Sequence, residues 1–154
     1  LNKLNPKYFK PHFLTALAWA NMSYARRRKV GAVLAREEQI LSIGYNGTLP
    51  GEENSCEIPV PDYDENGNRL EDVWVTHGDV IHAEKNCISK MLYSHETTEG
   101  ATLFVTLSPC KNCALDIILA RIKEVFYLEE YRDLTGVEFL RKRGIPCTKI
   151  ILES

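Results

Sequence analysis

The sequence has no long hydrophobic run and no signal-like start. Although 44% of its 154 residues are hydrophobic, no apolar run approaches the roughly 20 residues that a membrane helix needs. A basic stretch followed by an apolar run and a small-residue cleavage site is also missing near the first residue. We therefore expect a soluble cytoplasmic protein with no membrane partner.

Positive charge is not in excess, and cysteines are few. The formal net charge is -2, whereas sequence-independent affinity for nucleic acid comes mainly from clustered Lys and Arg. We therefore expect no nucleic-acid partner. The five cysteines are an odd number, which favours metal ligands and core residues over a disulfide framework. Repeats, low-complexity tracts and linkers are absent, and the length fits one domain over residues 1–154.

The order of apolar runs predicts an α/β fold. Helical spacing predicts an opening helix over residues 11–26, and two apolar runs separated by three polar residues predict adjacent antiparallel strands. Strands and helices alternate later in the chain. We expect three α/β/α layers, with a central mixed sheet of about five strands flanked by helices. The predicted strands are 30–35, 39–45, 102–107, 124–128 and 147–152, and the later helices are 82–93, 110–122 and 134–143.

A polar segment over residues 50–78 interrupts this pattern. It is rich in Pro, Asp, Glu, Asn and Gly, and only residues 73–75 form a short apolar run. We expect a long functional loop inserted into the domain. Asn66-Gly67 suits the tip of a small hairpin inside it, because a type I′ turn needs positive φ at both central residues.

Two short motifs at predicted helix starts carry the chemistry, His82-Ala83-Glu84 and Pro109-Cys110-Lys111-Asn112-Cys113. Cys110 and Cys113, three apart on a helix, can share a tetrahedral metal, and a helix start favours ionised thiols. With His82 they make three ligands, which leaves one position open for water, as in catalytic zinc sites. Glu84 is expected beside that water as the proton carrier. Taken separately, the same pieces fit a capping histidine, a dithiol or a four-ligand structural zinc.

Together the motifs resemble the zinc-dependent deoxycytidylate (dCMP) deaminases of the cytidine deaminase superfamily, since they match the zinc-deaminase signature. The resemblance implies a cytidine-deaminase-like fold and hydrolysis of dCMP to dUMP and ammonia, which supplies the precursor of thymidylate. It also implies a homo-oligomer, often a hexamer, with dCTP as activator, Mg²⁺ accompanying that effector, and dTTP as inhibitor. The similar stretches are residues 30–33, 44–47, 82–86, 107–110 and 122–125.

Substrate contacts are expected around the metal. The resemblance places Asn46 where a sugar-contacting asparagine lies, although Asn-Gly pairs also form turns for backbone reasons. Arg26 and Arg28 are the leading phosphate ligands, although the cationic run 26–29 also fits a solvated helix end. For Tyr127, one of the remaining candidates, buried packing in the core is the alternative role. These further substrate-binding candidates are Ala83, Ser108 and Tyr127.

Other possibilities remain open at this point. The resemblance allows a second, structural zinc involving Cys56 and His77; the alternative is that Cys56 is a plain thiol and His77 a loop residue. Rival substrates are a free nucleoside, a riboflavin-pathway pyrimidine or an adenosine in transfer RNA, and the net charge disfavours the last. A non-catalytic zinc-binding module that senses nucleotides is the rival of another class, and the presence of Glu84 disfavours it.

Overall fold

A computed structural model describes residues 3–153, and these form four α-helices and seven strands. The helices are α1 (Phe9–Ala20), α2 (Ala83–Ser89), α3 (Lys111–Leu119) and α4 (Thr135–Lys142). The strands are β1 (Gly31–Arg36), β2 (Gln39–Tyr45), β3 (Glu57–Val60), β4 (Val73–Thr76), β5 (Thr102–Leu107), β6 (Glu124–Glu129) and β7 (Cys147–Lys149). In this part of the chain no helix has both the length and the apolar character to cross a membrane.

Five strands form a mixed central sheet in the order β2-β1-β5-β6-β7. β1 is antiparallel to both β2 and β5, while β5, β6 and β7 are parallel to one another. The predicted mixed sheet with a parallel second half is therefore confirmed. Because β1 runs opposite to its neighbours, its first residue lies at the same edge as the last residues of β2, β5 and β6.

Helices cover both faces of this sheet, which confirms the three-layer arrangement. Alternate residues of a strand point to opposite faces, and on β5 Leu103 belongs to one buried cluster while Phe104 belongs to the other. Phe104 packs against Phe13 of α1, with ring centroids 5.3 Å apart. The opposite cluster includes Ile117 of α3 and Leu140 of α4, and both are fully buried.

The first helix differs from its prediction at both ends. It begins at Phe9 and ends at Ala20, whereas residues 11–26 were predicted. Pro11 lies in the first turn of the helix, where its missing N–H has no partner to lose. The chain after Ala20 crosses to β1 as an irregular loop, so the cationic run does not continue the helix.

The inserted segment contains a second sheet, in which β3 and β4 pair antiparallel. The predicted type I′ turn at its tip is wrong, because Gly67 has a φ of 81° and Asn66 is not in the left-handed region. Asp64 accepts a backbone hydrogen bond from Gly67 at 3.0 Å and donates one to Asn68 at 2.9 Å. Its carboxylate also accepts from the N–H groups of Asn66 and Asn68, so a longer turn replaces the two-residue one.

Candidate active site

A pocket of about 550 Å³ opens at the sheet edge where β2, β5 and β6 end. Ligands of open α/β sheets commonly bind beyond the carboxyl ends of strands. The wall is formed by the loop before β1, the residue after β2, the β3–β4 hairpin, the segments that lead into α2 and α3, and the segment after β6. The residues that line the pocket include Arg27, Arg28, Asn46, Cys56, Glu57, His82, Ala83, Glu84, Ser108, Cys110, Glu130, Tyr131 and Arg132.

Two helix starts bring the predicted metal ligands together. His82 and Cys110 are the residues immediately before α2 and α3, and both have extended backbones, with ψ of 155° and 170°. Cys110 was predicted inside the helix, yet it is the capping residue, and Cys113 lies in the first turn. A capping side chain reaches back over the first turn, so the two sulfur atoms still converge.

The position of His82 is fixed by β2. Gly47, just after β2, and Ile81 exchange two backbone hydrogen bonds, of 3.1 Å and 2.8 Å. Gly44 in β2 also lies directly beneath α2, where a Cβ would come within 2.6 Å of the backbone nitrogen of Cys87. Only glycine leaves room for this approach, which sets α2 directly against the sheet.

The three ligand atoms have the spacing of a zinc site. Nδ1 of His82 lies 3.5 Å from Sγ of Cys110 and 3.4 Å from Sγ of Cys113. A tetrahedral zinc with bonds of about 2.3 Å to sulfur and about 2.0 Å to nitrogen separates such atoms by about 3.5 Å. Within residues 3–153 this is the single group of three or more His, Cys, Asp or Glu side chains placed to hold a metal. The group fits zinc with one position left open.

Hydrogen bonds within the ligand group favour a thiolate. A hydrogen bond from the Cys113 thiol lowers the pKa of Cys110 to about 4, and His82 and the Cys113 backbone N–H act in the same direction. The same sulfur–sulfur hydrogen bond raises the pKa of Cys113. The bond to Cys110 likewise raises the pKa of His82. These contacts favour a negative charge on the Cys110 sulfur.

Glu84 lies at the floor of the pocket beside these ligands. It is the second residue of α2 and is 4% exposed. Burial raises its pKa to about 7. A carboxyl group with a pKa near neutrality can both accept and donate a proton at neutral pH, as a general acid and base must.

The second ligand loop is braced by α4. A Cβ on Gly136 would lie 2.5 Å from the carbonyl carbon of Cys110 and would also meet the carbonyl oxygen of Pro109. The start of α4 therefore rests directly on the peptide that carries a metal ligand. The absence of a side chain at Gly136 permits this contact.

Three uncharged residues predicted to bind substrate lie in the pocket wall. Ala83 is fully buried. Ser108 accepts a hydrogen bond from the backbone N–H of Tyr131 at 2.7 Å. Asn46 accepts from the N–H of Val30 at 2.9 Å and donates to the carbonyl of Arg28 at 2.8 Å. An amide has a further N–H and a further lone pair, so Asn46 retains bonding capacity towards the pocket.

The cationic residues divide between two surfaces. Arg28 lines the pocket and forms an ion pair of 3.4 Å with Glu129. Arg26 instead places its guanidinium 4.4 Å from the ring centroid of Trp74, outside the pocket wall. Arg27 and Arg132 line the pocket in its place, although sequence reasoning had not singled them out.

Tyr127 lies in the core and not in the pocket wall. It is 2% exposed and belongs to the cluster beneath α3 and α4, because its position on β6 points its side chain to that face. Tyr131 lines the pocket, together with Glu130 and Arg132. These three residues follow β6 at its carboxyl end, and that position was the available signal for them.

Cys56 and His77 face each other across the base of the hairpin, where the N–H of His77 donates to the carbonyl of Cys56 at 2.7 Å. Cys56 is buried, and its sulfur lies 3.6 Å from the carbonyl oxygen of Asn54. The described residues offer no third side chain that would complete a metal site with these two.

Comparisons with known proteins point to the same chemistry. A family model described as the cytidine and deoxycytidylate deaminase zinc-binding region matches residues 9–129. Deoxycytidylate deaminase of Enterobacteria phage T4 is 32% identical, with 79% of each chain covered. Deoxycytidylate deaminase of Homo sapiens is 32% identical over 93% of this chain and 84% of the human protein. The crystal structure of dCMP deaminase from cyanophage S-TIM5 in complex with dCMP and dUMP superposes with a TM-score of 0.83, at 34% identity, over 96% of this chain and all of that one.

Proposed function

Because the chain belongs to the cytidine and deoxycytidylate deaminase zinc-binding family, we propose that it hydrolyses dCMP to dUMP and ammonia. One observation carries the proposal: a single pocket is lined by His82 and Cys110 of the three-ligand metal group, by the buried carboxyl of Glu84 and by several arginine side chains. The first two features suit hydrolysis of a ring amidine. The arginines suit a substrate with a phosphate.

The chemistry divides between the metal and Glu84. His82, Cys110 and Cys113 would hold the zinc, which would supply a water acidic enough to lose a proton at neutral pH and react at C4 of the cytosine ring. Glu84 takes one proton from that water and delivers it to N3. It then passes the second proton to the amino group, which leaves as ammonia. One water is consumed, and the product keeps the proton on N3 and the oxygen on C4.

The phosphate of dCMP is proposed to bind Arg27, Arg28 and Arg132. Arg28 has a carboxylate partner, whereas Arg27 and Arg132 form no ion pair with any residue in the range 3–153. A guanidinium group binds phosphate oxygens in a bidentate manner. Asn46 is proposed to bind a deoxyribose hydroxyl through the amide N–H and lone pair that its backbone contacts leave available.

The test is ammonia release by the zinc-loaded protein from dCMP, deoxycytidine and dCTP, measured separately. We expect dCMP to be preferred. Arg27→Gln and Arg132→Gln should each raise the KM for dCMP about 10- to 100-fold, since a hydrogen bond to a charged group contributes about 1.5–3 kcal/mol. Arg69→Gln is the matched control, because Arg69 pairs with Asp72 on the hairpin loop outside the pocket. Equal activity on dCMP and deoxycytidine would refute the proposed phosphate site. A lack of ammonia release from all three compounds would refute the proposed function.

Assembly and regulation complete the proposal. The family resemblance supports a homo-oligomer that dCTP, with Mg²⁺, activates and dTTP inhibits. The β3–β4 hairpin supports assembly, because its apolar side chains are 38–48% exposed and contiguous exposed apolar surface marks interaction sites. One zinc per chain meets the needs of the reaction, and a second, structural zinc involving Cys56 and His77 stays a prediction. The exposed side chains are Ile58, Val60, Val73, Trp74 and Val75.

A further inference from the structure

Glu57 is a buried carboxylate that the proposed reaction does not use. It is the first residue of β3, is 3% exposed and lines the pocket. Among residues 3–153 it has no ion-pair partner. Burying a carboxylate is costly unless hydrogen bonds replace its water, so its contacts indicate what this residue does.

The hydrogen bonds of the Glu57 carboxylate all go to the backbone of one loop. Its Oε1 accepts hydrogen bonds from the N–H groups of Arg26 at 2.9 Å and Arg27 at 3.1 Å, and its Oε2 lies 3.0 Å from the same Arg26 nitrogen. Hydrogen bonds to an ionised acceptor are about twice as strong as neutral ones. Residues 26–30, which we call the arginine loop, are thus tied to the hairpin.

A second contact joins the same two parts. The guanidinium of Arg26 lies over the ring of Trp74 on β4, 4.4 Å from its centroid. Cation–π contacts of this kind are favourable. Arg26 therefore fastens the arginine loop to the hairpin and is turned away from the pocket.

Asn46 holds the arginine loop from the other side. Its amide bonds the carbonyl of Arg28 and the N–H of Val30, at 2.8 Å and 2.9 Å. Arg27 and Arg28 lie between the Glu57 and Asn46 contacts and line the pocket. With its backbone held on both sides, the loop presents these two arginines without first having to be ordered by the substrate, which lowers the cost of binding.

We propose that Glu57 is a positioning residue, which holds the arginine loop so that Arg27 and Arg28 meet the substrate phosphate. The inference rests on the proposed function and deepens it, because it makes the inserted hairpin part of substrate selection. Both carboxylate oxygens are engaged by loop N–H groups, so the charge of Glu57 is directed at the loop backbone. Glu57 acts through the arginines and takes no part in the chemistry at C4.

The test compares Glu57→Ala and Glu57→Gln with wild-type protein, all zinc-loaded, on dCMP and on deoxycytidine. Glu71→Ala is the matched control, because it removes an exposed glutamate of the same insertion. Glu57→Ala should raise the KM for dCMP about 10- to 100-fold, corresponding to the loss of a charge-assisted contact. Its kcat, and kcat/KM for deoxycytidine, should stay within about twofold of the wild type by the same reasoning. Glu57→Gln keeps one carbonyl acceptor for the loop, so its KM for dCMP should lie between those of the wild type and Glu57→Ala.

Three outcomes would overturn the inference. They are an unchanged KM for dCMP in a folded Glu57 variant, an equal loss on both substrates, and a loss of kcat with KM unchanged. The second would indicate a purely structural role, and the third a contact with the reacting part of the substrate. If Glu57→Ala does not fold, the KM and kcat of Glu57→Gln on the same two substrates test the inference instead. A wild-type protein that deaminates neither substrate would instead refute the proposed function.

Discussion

Replacing Gly136 by alanine tests whether the start of α4 holds the second metal-ligand loop in place. The added Cβ would lie 2.5 Å from the carbonyl carbon and 2.7 Å from the carbonyl oxygen of Cys110. Carbon atoms in favourable contact are about 3.5–4.0 Å apart. Helix α4 and the Pro109–Cys110 peptide must therefore separate by about 1 Å to accommodate one methyl group.

Two effects follow from that separation. Inserting a methyl group into packed structure costs about 1–3 kcal/mol, and each kcal/mol lowers Tm by about 2–4 °C in a domain of this size. We therefore expect Tm to fall by about 2–12 °C. Metal ligands must lie within about 0.2 Å of their ideal distances, so zinc affinity should fall about 10- to 100-fold, as it does when outer contacts of a metal site are lost.

The assays are thermal unfolding of the zinc-free protein and competition with a chromogenic zinc chelator. Gly78→Ala is the matched control, because a Cβ there would meet nothing within 4 Å and Gly78 has no left-handed φ. The control should keep the wild-type Tm and zinc affinity. A Gly136→Ala protein that also kept both would refute the claim that α4 braces the Cys110 loop.

Glu84 gives two further predictions. Glu84→Gln should retain one zinc per chain by metal analysis yet lose about 10² to 10⁴ in kcat, because it removes a positioned general acid and base; near-normal turnover of the zinc-loaded variant would exclude Glu84 from the mechanism. In the zinc-free protein, burial raises the pKa of Glu84 from 4.5 to about 7, so the folded state binds more protons than the unfolded state between these values and its stability falls as pH rises through that window. Denaturant unfolding should therefore show that the free energy of unfolding of Glu84→Gln rises relative to that of the wild type from pH 4.5 to pH 8. A difference between the two proteins that does not change with pH would contradict this.

The central sheet and the metal group could be predicted because local patterns encode them. The strands of the sheet are short apolar runs, and His82, Cys110 and Cys113 lie at helix starts whose chemistry depends on neighbours in sequence. Helix ends were less accurate: α1 ends at Ala20, and the chain that follows it bonds to Asn46 and Glu57, which are distant in sequence.

A small hairpin with its tip at Asn66-Gly67 was predicted, but the strands of the β3–β4 hairpin were not located, for a physical reason. Most of its residues are exposed on both faces, so no alternation of apolar and polar residues marks the strands. The tip was misjudged because the Asp64 carboxylate, and not the Asn66-Gly67 pair alone, determines the turn.

The phosphate contacts were predicted only in part. Arg26, Arg27 and Arg28 are chemically alike in sequence, and which of them faces the pocket depends on Trp74 and Glu57, which are distant in sequence; Glu57 is 31 residues from Arg26. Arg132 and Tyr131 reach the pocket through the pairing of β5 with β6. Contacts between residues so far apart along the chain leave no periodic pattern in the sequence.

The bridge between Gly47 and Ile81 makes the intervening segment an interchangeable module. Because its two ends meet, residues 48–80 leave and rejoin the domain at one point, and their length can change without altering the path from β2 to His82. Selectivity for the substrate can thus diverge, in evolution or by grafting, while the metal group stays where it is. A designer seeking a different nucleotide preference would exchange this module and rebuild its single acidic contact with the arginine loop.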